Sequence, residues 1–185
     1  MSTRQSQYVA WLICLNGLMD KVRRHGWLAI EEDVESPGSP GSSFSCDPVL
    51  MRQPYLDFTR DLLRLRVTGY VENAMLSTYA QQAIATLSRR NWLGQRPADP
   101  LLINMIWSTL HAFFEGLPPA VACEFGRQVI PLSKRPDHGT LELLLAETRQ
   151  RALTQAQHAS GERDLDAEAD AFIRHSAPDF PFFAA

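Results

Sequence analysis

The chain has 185 residues, 45% of them hydrophobic and 21% charged, with a formal net charge of −3. That length suffices for one domain with a core of its own. So mild a charge balance offers no basic stripe for a phosphate backbone, and no nucleic-acid partner is expected. Cys14, Cys46 and Cys123 are odd in number, far apart and without zinc spacing. They read as reduced, mostly buried thiols of a cytoplasmic protein, with no disulfide framework, metal or cofactor implied.

In chain order, Trp11, Leu12, Leu15, Leu18, Met19 and Val22 recur at steps of three and four, which predicts an amphipathic helix over residues 8–25 that stops at Gly26. Its apolar run, VAWLICLNGLM, is broken by Asn16 and ends at Asp20 and Lys21, short of the roughly 20 apolar residues that a membrane span needs. It also lacks a small-x-small cleavage site, which argues against an export signal. SPGSPGSSFS (residues 36–45) is a loop by composition. Asp47-Pro48 has the form of a helix start, with an aspartate to accept free amide protons and a proline of preset φ.

After Pro54, Tyr55, Phe58, Leu62 and Leu65 share one helical face, Asp57, Arg60, Asp61 and Arg64 form the other, and Gly69 is the expected C-terminal cap. A third helix is predicted over residues 71–93, its face marked by Met75, Tyr79, Ala83 and Leu87, and GQRPADP comes next as a connector. Asp99-Pro100 then opens a helix to about Glu115, capped by Gly116. Its run LLINMIWSTLHAFF carries Asn104, Ser108, Thr109 and His111 and should not span a bilayer. A short proline-bounded helix lies within residues 117–131. A last long one runs from Thr140 to about His158, with Leu141, Leu144, Leu145, Thr148 and Ala152 inward.

No alternating strand and no repeat is visible. The expectation is an all-α fold of five to six helices with no transmembrane span: one compact helical domain over residues 1–160 and a flexible tail over 161–185 whose last nine residues, APDFPFFAA, hold three phenylalanines. The amino-terminal helix should pack along the Pro100 and Thr140 helices. The apolar stripes of residues 9–19 and 101–114 must either pack on each other or drive self-association into a homo-oligomer.

Catalysis needs a converging nucleophile, base and oxyanion donor. His25, His111, His138, His158 and His175 are scattered, none sits in a metal or triad motif, and no glycine-rich phosphate loop occurs. His111, on an apolar helix, reads as a core histidine. The chain is therefore read as a non-enzyme with no catalytic residues and no metal site.

The stretch RRHGWLAIEEDVESP (residues 23–37) stands apart. Cations at a helix C-terminus are favoured by the macrodipole, by about 0.3–1 kcal/mol. That accounts for Arg23 and Arg24 but not for Glu31, Glu32, Asp33 and Glu35 gathered just beyond the turn. A surface serving solubility alone would intersperse the signs, so the segment reads either as a solvated face or as a partner-binding surface centred on Arg23, Arg24, Glu31 and Glu32.

This stretch resembles the cytoplasmic loop of the motility protein A (MotA) family of flagellar motor stator subunits: an arginine-rich helix end, a glycine, an apolar turn, then acids and E-x-P. YLDFTRDLLRLRVTGYVE (residues 55–72) is similar to the family's next helix. GLPPAVACEFGRQVIPLSKRPDHGTLELLLAE (residues 116–147) resembles its carboxy-terminal cytoplasmic segment, through P-P-x-x-A-x-E-F-G-R, then R-P, then leucine and glutamate. By this resemblance residues 1–93 match the first cytoplasmic segment, 94–99 bridge the place of a membrane hairpin, and 100–160 match the second.

The resemblance implies a body at the cytoplasmic face of the bacterial inner membrane that works with MotB and other MotA-type subunits. It would press on the rotor protein FliG for torque, the family's contact arginine falling on Arg23 and its glutamate on Glu31, with Arg24 and Glu32 beside them. The family's first two membrane helices would need room before residue 9, and its pore positions have no counterparts here. Ion conduction and membrane insertion are therefore not expected of this chain alone. The alternative is a soluble helical adaptor or regulator that keeps the fold without generating torque.

Overall fold

A computed structural model of the protein describes residues 3–89, 98–150 and 154. Among them the regular structure is helical, with no strand. The chain falls into two units, residues 1–146 and 147–185, and the helical core and candidate site lie in the first. The expected bridge lies outside the described residues except for Ala98 and Asp99, and so does the expected tail.

Helix α1 (Thr3–His25) ends where Gly26 takes φ 82°, a left-handed value that a side chain would strain. Its periodic residues Trp11, Leu12, Leu15, Leu18, Met19 and Val22 are all buried, as the spacing predicts. A one-turn 3-10 helix (Trp27–Ile30) and the short α2 (Glu31–Glu35) come next.

Residues 36–54 contain no helix, so the expected start at Asp47-Pro48 is not realised. Asp47 instead folds on itself, its Oδ1 accepting the Val49 amide at 2.8 Å. A helix continued from there would meet Pro54, which has no N–H to give to the preceding turn. Helix α3 (Tyr55–Val67) begins directly after it, and Gly69 at φ 74° closes it. The loop is nevertheless anchored. Phe44 and Leu50 are completely buried, and Phe44 meets Trp11 edge to face at 6.3 Å.

Helix α4 (Asn73–Leu87) is shorter than expected, and its inward face is rotated. Leu76 and Ala80 are buried with Ala83 and Leu87 packed behind them, while Met75 and Tyr79 are exposed. The reason is angular: each i+4 step overshoots a full turn by about 40°, so three successive steps of four drift about 120° around the helix. The 4-3-4 series Leu76, Ala80, Ala83, Leu87 stays on one side.

Helix α5 (Pro100–Phe114) starts as predicted, the Asp99 carboxylate accepting the Leu101 amide at 3.0 Å. The Asp99 amide donates to the Tyr55 hydroxyl at 2.8 Å and Tyr8 donates to its carboxylate at 3.3 Å, which ties the helix start to α3 and α1. Helix α6 (Pro119–Val129) lies beyond Gly116, and residues 138–150 are helical, with Leu141 and Leu145 in the core and Ala152 outside the described residues.

The apolar stripes of α1 and α5 pack on each other, and α1 lies against α6 as well. Helix α6 also packs on α5, and Gly126 leaves no room there for a side chain. A Cβ there would sit 2.0 Å from Thr109 Oγ1 and 3.1 Å from Leu12 Cδ2. Ala122, Cys123 and Gly126 form the small-residue face that lets α6 settle onto α1 and α5. Among the described residues no helix is long and apolar enough to cross a membrane.

Candidate partner-binding site

Arg23 and Arg24 occupy the last turn of α1, and both are exposed. Arg24 reaches Asp20 at only 3.6 Å, one turn back. The reversal at Gly26 then throws the apolar WLAI turn against the body of the protein.

Ile30 is fully buried. Trp27 packs on Phe113 and Phe114 with ring centroids 5.7 and 5.9 Å away, while the Arg66 guanidinium lies over Trp27 and Phe114 at 5.5 and 5.9 Å. Cation–π attraction and aromatic burial together fix the turn. Leu28 faces the other way and is 73% exposed.

The four acids beyond the turn divide into two pairs of different purpose. Asp33 is 1% exposed and accepts from Lys21 Nζ at 2.7 Å and from the Ser43 amide at 2.6 Å. It clamps the serine-rich loop to α1. Glu35 takes a two-pronged contact from Arg64 at 2.8 and 3.0 Å, which holds its carboxyl below the usual carboxylate range. Arg60 donates to the carbonyls of Val34 and Glu35, closing the C-terminus of α2.

Glu31 and Glu32 point outward. Among the described residues neither they nor Arg23 makes a side-chain hydrogen bond or ion pair. Glu32 also lines a cleft of about 100 Å³ shared with Lys21, Asp33 and the loop residues Pro40, Gly41 and Ser42. The four residues singled out in the sequence are thus all exposed, Arg23 and Arg24 before the WLAI turn and Glu31 and Glu32 directly after it.

A second polar cluster, not foreseen in the sequence, organises the end of α6. Glu124 grips Arg127 through two bonds of 2.5 and 2.7 Å and also accepts from Gln128, with His138 Nδ1 at 3.3 Å. The Arg127 hydrogen bonds foremost, then those from Gln128 and His138, hold the Glu124 carboxyl down to about 2 against a modest desolvation. Arg135 donates to the carbonyls of Ile130 and Gln128 at 2.8 and 2.7 Å, capping the helix, and Arg127 reaches the Pro136 carbonyl at 3.1 Å. The E-F-G-R and R-P motifs therefore fasten the α6 exit. The Glu-to-Arg spacing of three was the sequence signal that could have revealed this.

His111 is not in the core. Its side chain is 41% exposed, edge-on to the Trp107 ring at 4.9 Å and 3.9 Å from Glu115, because the buried side of α5 is claimed by Leu102, Ile103, Met105, Ile106 and Leu110. All three cysteines are free thiols. Cys14 and Cys123 are buried, while Cys46 is exposed in the loop and donates to the Ser43 carbonyl at 3.0 Å. Burial pushes the Cys14 thiol well up and the Cys123 thiol to about 12. Among the described residues no three His, Cys, Asp or Glu side chains are grouped to hold a metal ion. No protein-family model, curated protein or solved structure matches the chain.

Proposed function

We propose that this chain is a MotA-like stator body whose charged turn contacts the rotor protein FliG, with Arg23 and Glu31 as the principal contacts and Arg24 and Glu32 flanking them. The observation that carries this reading is the division of the acidic cluster. Asp33 and Glu35 are consumed by the fold, whereas Glu31, Glu32 and Arg23 are exposed and without side-chain partners among the described residues.

Charges already neutralised at home have little field to offer a partner. Exposed, unpaired ones steer encounter and register over roughly a Debye length, about 8–10 Å at ordinary ionic strength, while adding modestly to affinity. That suits a contact made and broken repeatedly. The fixed Trp27 anchor supports the same reading, since a surface that transmits force needs a stiff mount.

The decisive experiment places Arg23→Glu and Glu31→Lys, singly and together, in a complete stator subunit carrying this segment in a motile cell. Each reversal is expected to slow swimming, and unchanged swimming in both would refute the torque assignment. Salt-sensitive binding of the isolated chain to FliG, with no effect of either reversal on swimming, would move the assignment to an adaptor that docks without transmitting force.

A further inference from the structure

The serine-rich loop is pressed onto α1 at three points. Phe44 meets the Trp11 ring, the Ser43 amide is held by Asp33, itself paired with Lys21 of α1, and the Ser43 carbonyl accepts from the Cys14 thiol at 3.4 Å. That carbonyl has a second donor. Cys46, three residues further along the loop, points its thiol at the same oxygen at 3.0 Å. The two sulfurs are therefore no farther apart than these two contacts laid end to end, although one stands on α1 and the other in the loop. Closing to the roughly 2 Å of a disulfide falls to Cys46. Cys14 is fixed within a helix, whereas Cys46 lies in a turn of a helix-free segment, where a change of rotamer carries its sulfur.

The pair is also unequal in the way a two-step oxidation requires. Cys46 is exposed and Cys14 is buried. Burial first, then the charges of Cys46 and Asp33, keep the Cys14 thiol protonated, and its burial withholds it from outside reagents. Cys123 is occupied elsewhere, donating to the Leu12 carbonyl at 3.6 Å with Asn16 at 3.9 Å.

We propose that Cys46 and Cys14 form a thiol–disulfide modification site for a small disulfide of the glutathione class, with Cys46 the entry thiol and Cys14 the resolving one. The Cys46 sulfur attacks one sulfur of the small disulfide. A mixed disulfide forms, the original sulfur–sulfur bond breaks, and the departing thiolate takes up the Cys46 proton. Cys14 then attacks the Cys46 sulfur, and its proton leaves with the second small thiol. Two protein thiols are oxidised and one small disulfide is reduced to two thiols. The product fastens the loop to α1 covalently, a task that Asp33 otherwise performs by charge and hydrogen bonds. Neither cysteine is among Arg23, Arg24, Glu31 and Glu32, so this site and the rotor contact stand or fall separately.

The test exposes the folded, reduced 185-residue chain to oxidised glutathione, followed by acid quenching, denaturation, alkylation and mass spectrometry. The expected product carries no glutathione and has lost two hydrogens. Its alkylatable thiols fall from three to one, Cys123, and its peptide map joins Cys14 to Cys46. In Cys14→Ala the reaction is expected to stop at the mixed disulfide, with glutathione kept on Cys46. Glutathione retained on Cys46 in the parent chain, three thiols still free, a cross-link to Cys123 or to a second chain, or loss of glutathione again from Cys14→Ala overturns the proposal.

Discussion

Replacing Gly126 by alanine tests how tightly α6 is seated. The added methyl would stand 2.0 Å from Thr109 Oγ1, a distance that real Cβ atoms do not tolerate, and 3.2 Å from the Met105 carbonyl, which is backbone and cannot rotate away. The Thr109 hydroxyl is itself buried and donates to that same carbonyl at 2.9 Å, so turning it aside sacrifices the bond. Overpacking costs about 1–3 kcal/mol, and a contact as short as 2.0 Å belongs in the upper part of that range, about 2–3 kcal/mol, offset by about 1 kcal/mol of helix propensity gained from glycine to alanine. A net loss of about 1–2 kcal/mol lowers the melting temperature of a chain this size by about 2–8 °C, measured by circular dichroism or calorimetry.

Two companion variants isolate the cause. Gly17, inside α1, has nothing within 4 Å of where its Cβ would lie, so Gly17→Ala should stabilise by up to about 1 kcal/mol from propensity alone. Thr109→Ala removes the clashing oxygen, and in that background Gly126→Ala should lose most of its penalty, a coupling read from the double-mutant cycle. If Gly126→Ala melted at or above the parent temperature, or showed no coupling to Thr109, the close seating of α6 on α5 would be wrong.

The Glu124 cluster predicts an acid-sensitive α6 exit. Its carboxyl lies near 2 when folded and at an ordinary 4.5 when unfolded, so its stabilisation is complete above about pH 4.5 and is lost as the pH falls toward 2. Linkage sets an upper bound of about 3 kcal/mol, which partial exposure reduces to about 1 kcal/mol, so Glu124→Gln should flatten the acid limb of a denaturation curve by that amount. Asp33→Ala should cost about 2–3 kcal/mol and speed proteolytic cleavage within residues 36–46, because it strands the Ser43 amide and Lys21 together. Asp33→Asn should lie between the two. In the native protein a disulfide reagent should modify Cys46 first, more slowly than free cysteine because partial burial raises its thiol, with Cys123 reacting only after unfolding.

Much of the helical frame was legible from residue spacing and punctuation. Asp99-Pro100 and Gly26 marked real boundaries because their chemistry is local: a carboxylate beside free amides, and a residue without a Cβ where φ turns positive. Asp47-Pro48 carried the same local signal and failed, since Pro54 six residues downstream and the burial of Leu50 against distant helices overrode it. In the candidate site the sequence located the charge cluster but could not sort its members. Asp33 and Glu31 are the same kind of residue two positions apart, and only the placement of Lys21 and Ser43 makes one a buried clamp and the other an exposed charge.

By itself, then, the order of residues determined that this chain is helical, where most helices begin and end, and which short stretch concentrates opposite charge, because periodicity, capping and composition act within a few residues. Tertiary structure alone decided that Phe44 anchors a loop that looks structureless, that His111 lies at the surface, that α6 fits against α5 only through a missing Cβ, and that a charge-poor groove is left open beside it. Those outcomes depend on which faces meet across distant parts of the chain, and no local preference encodes that.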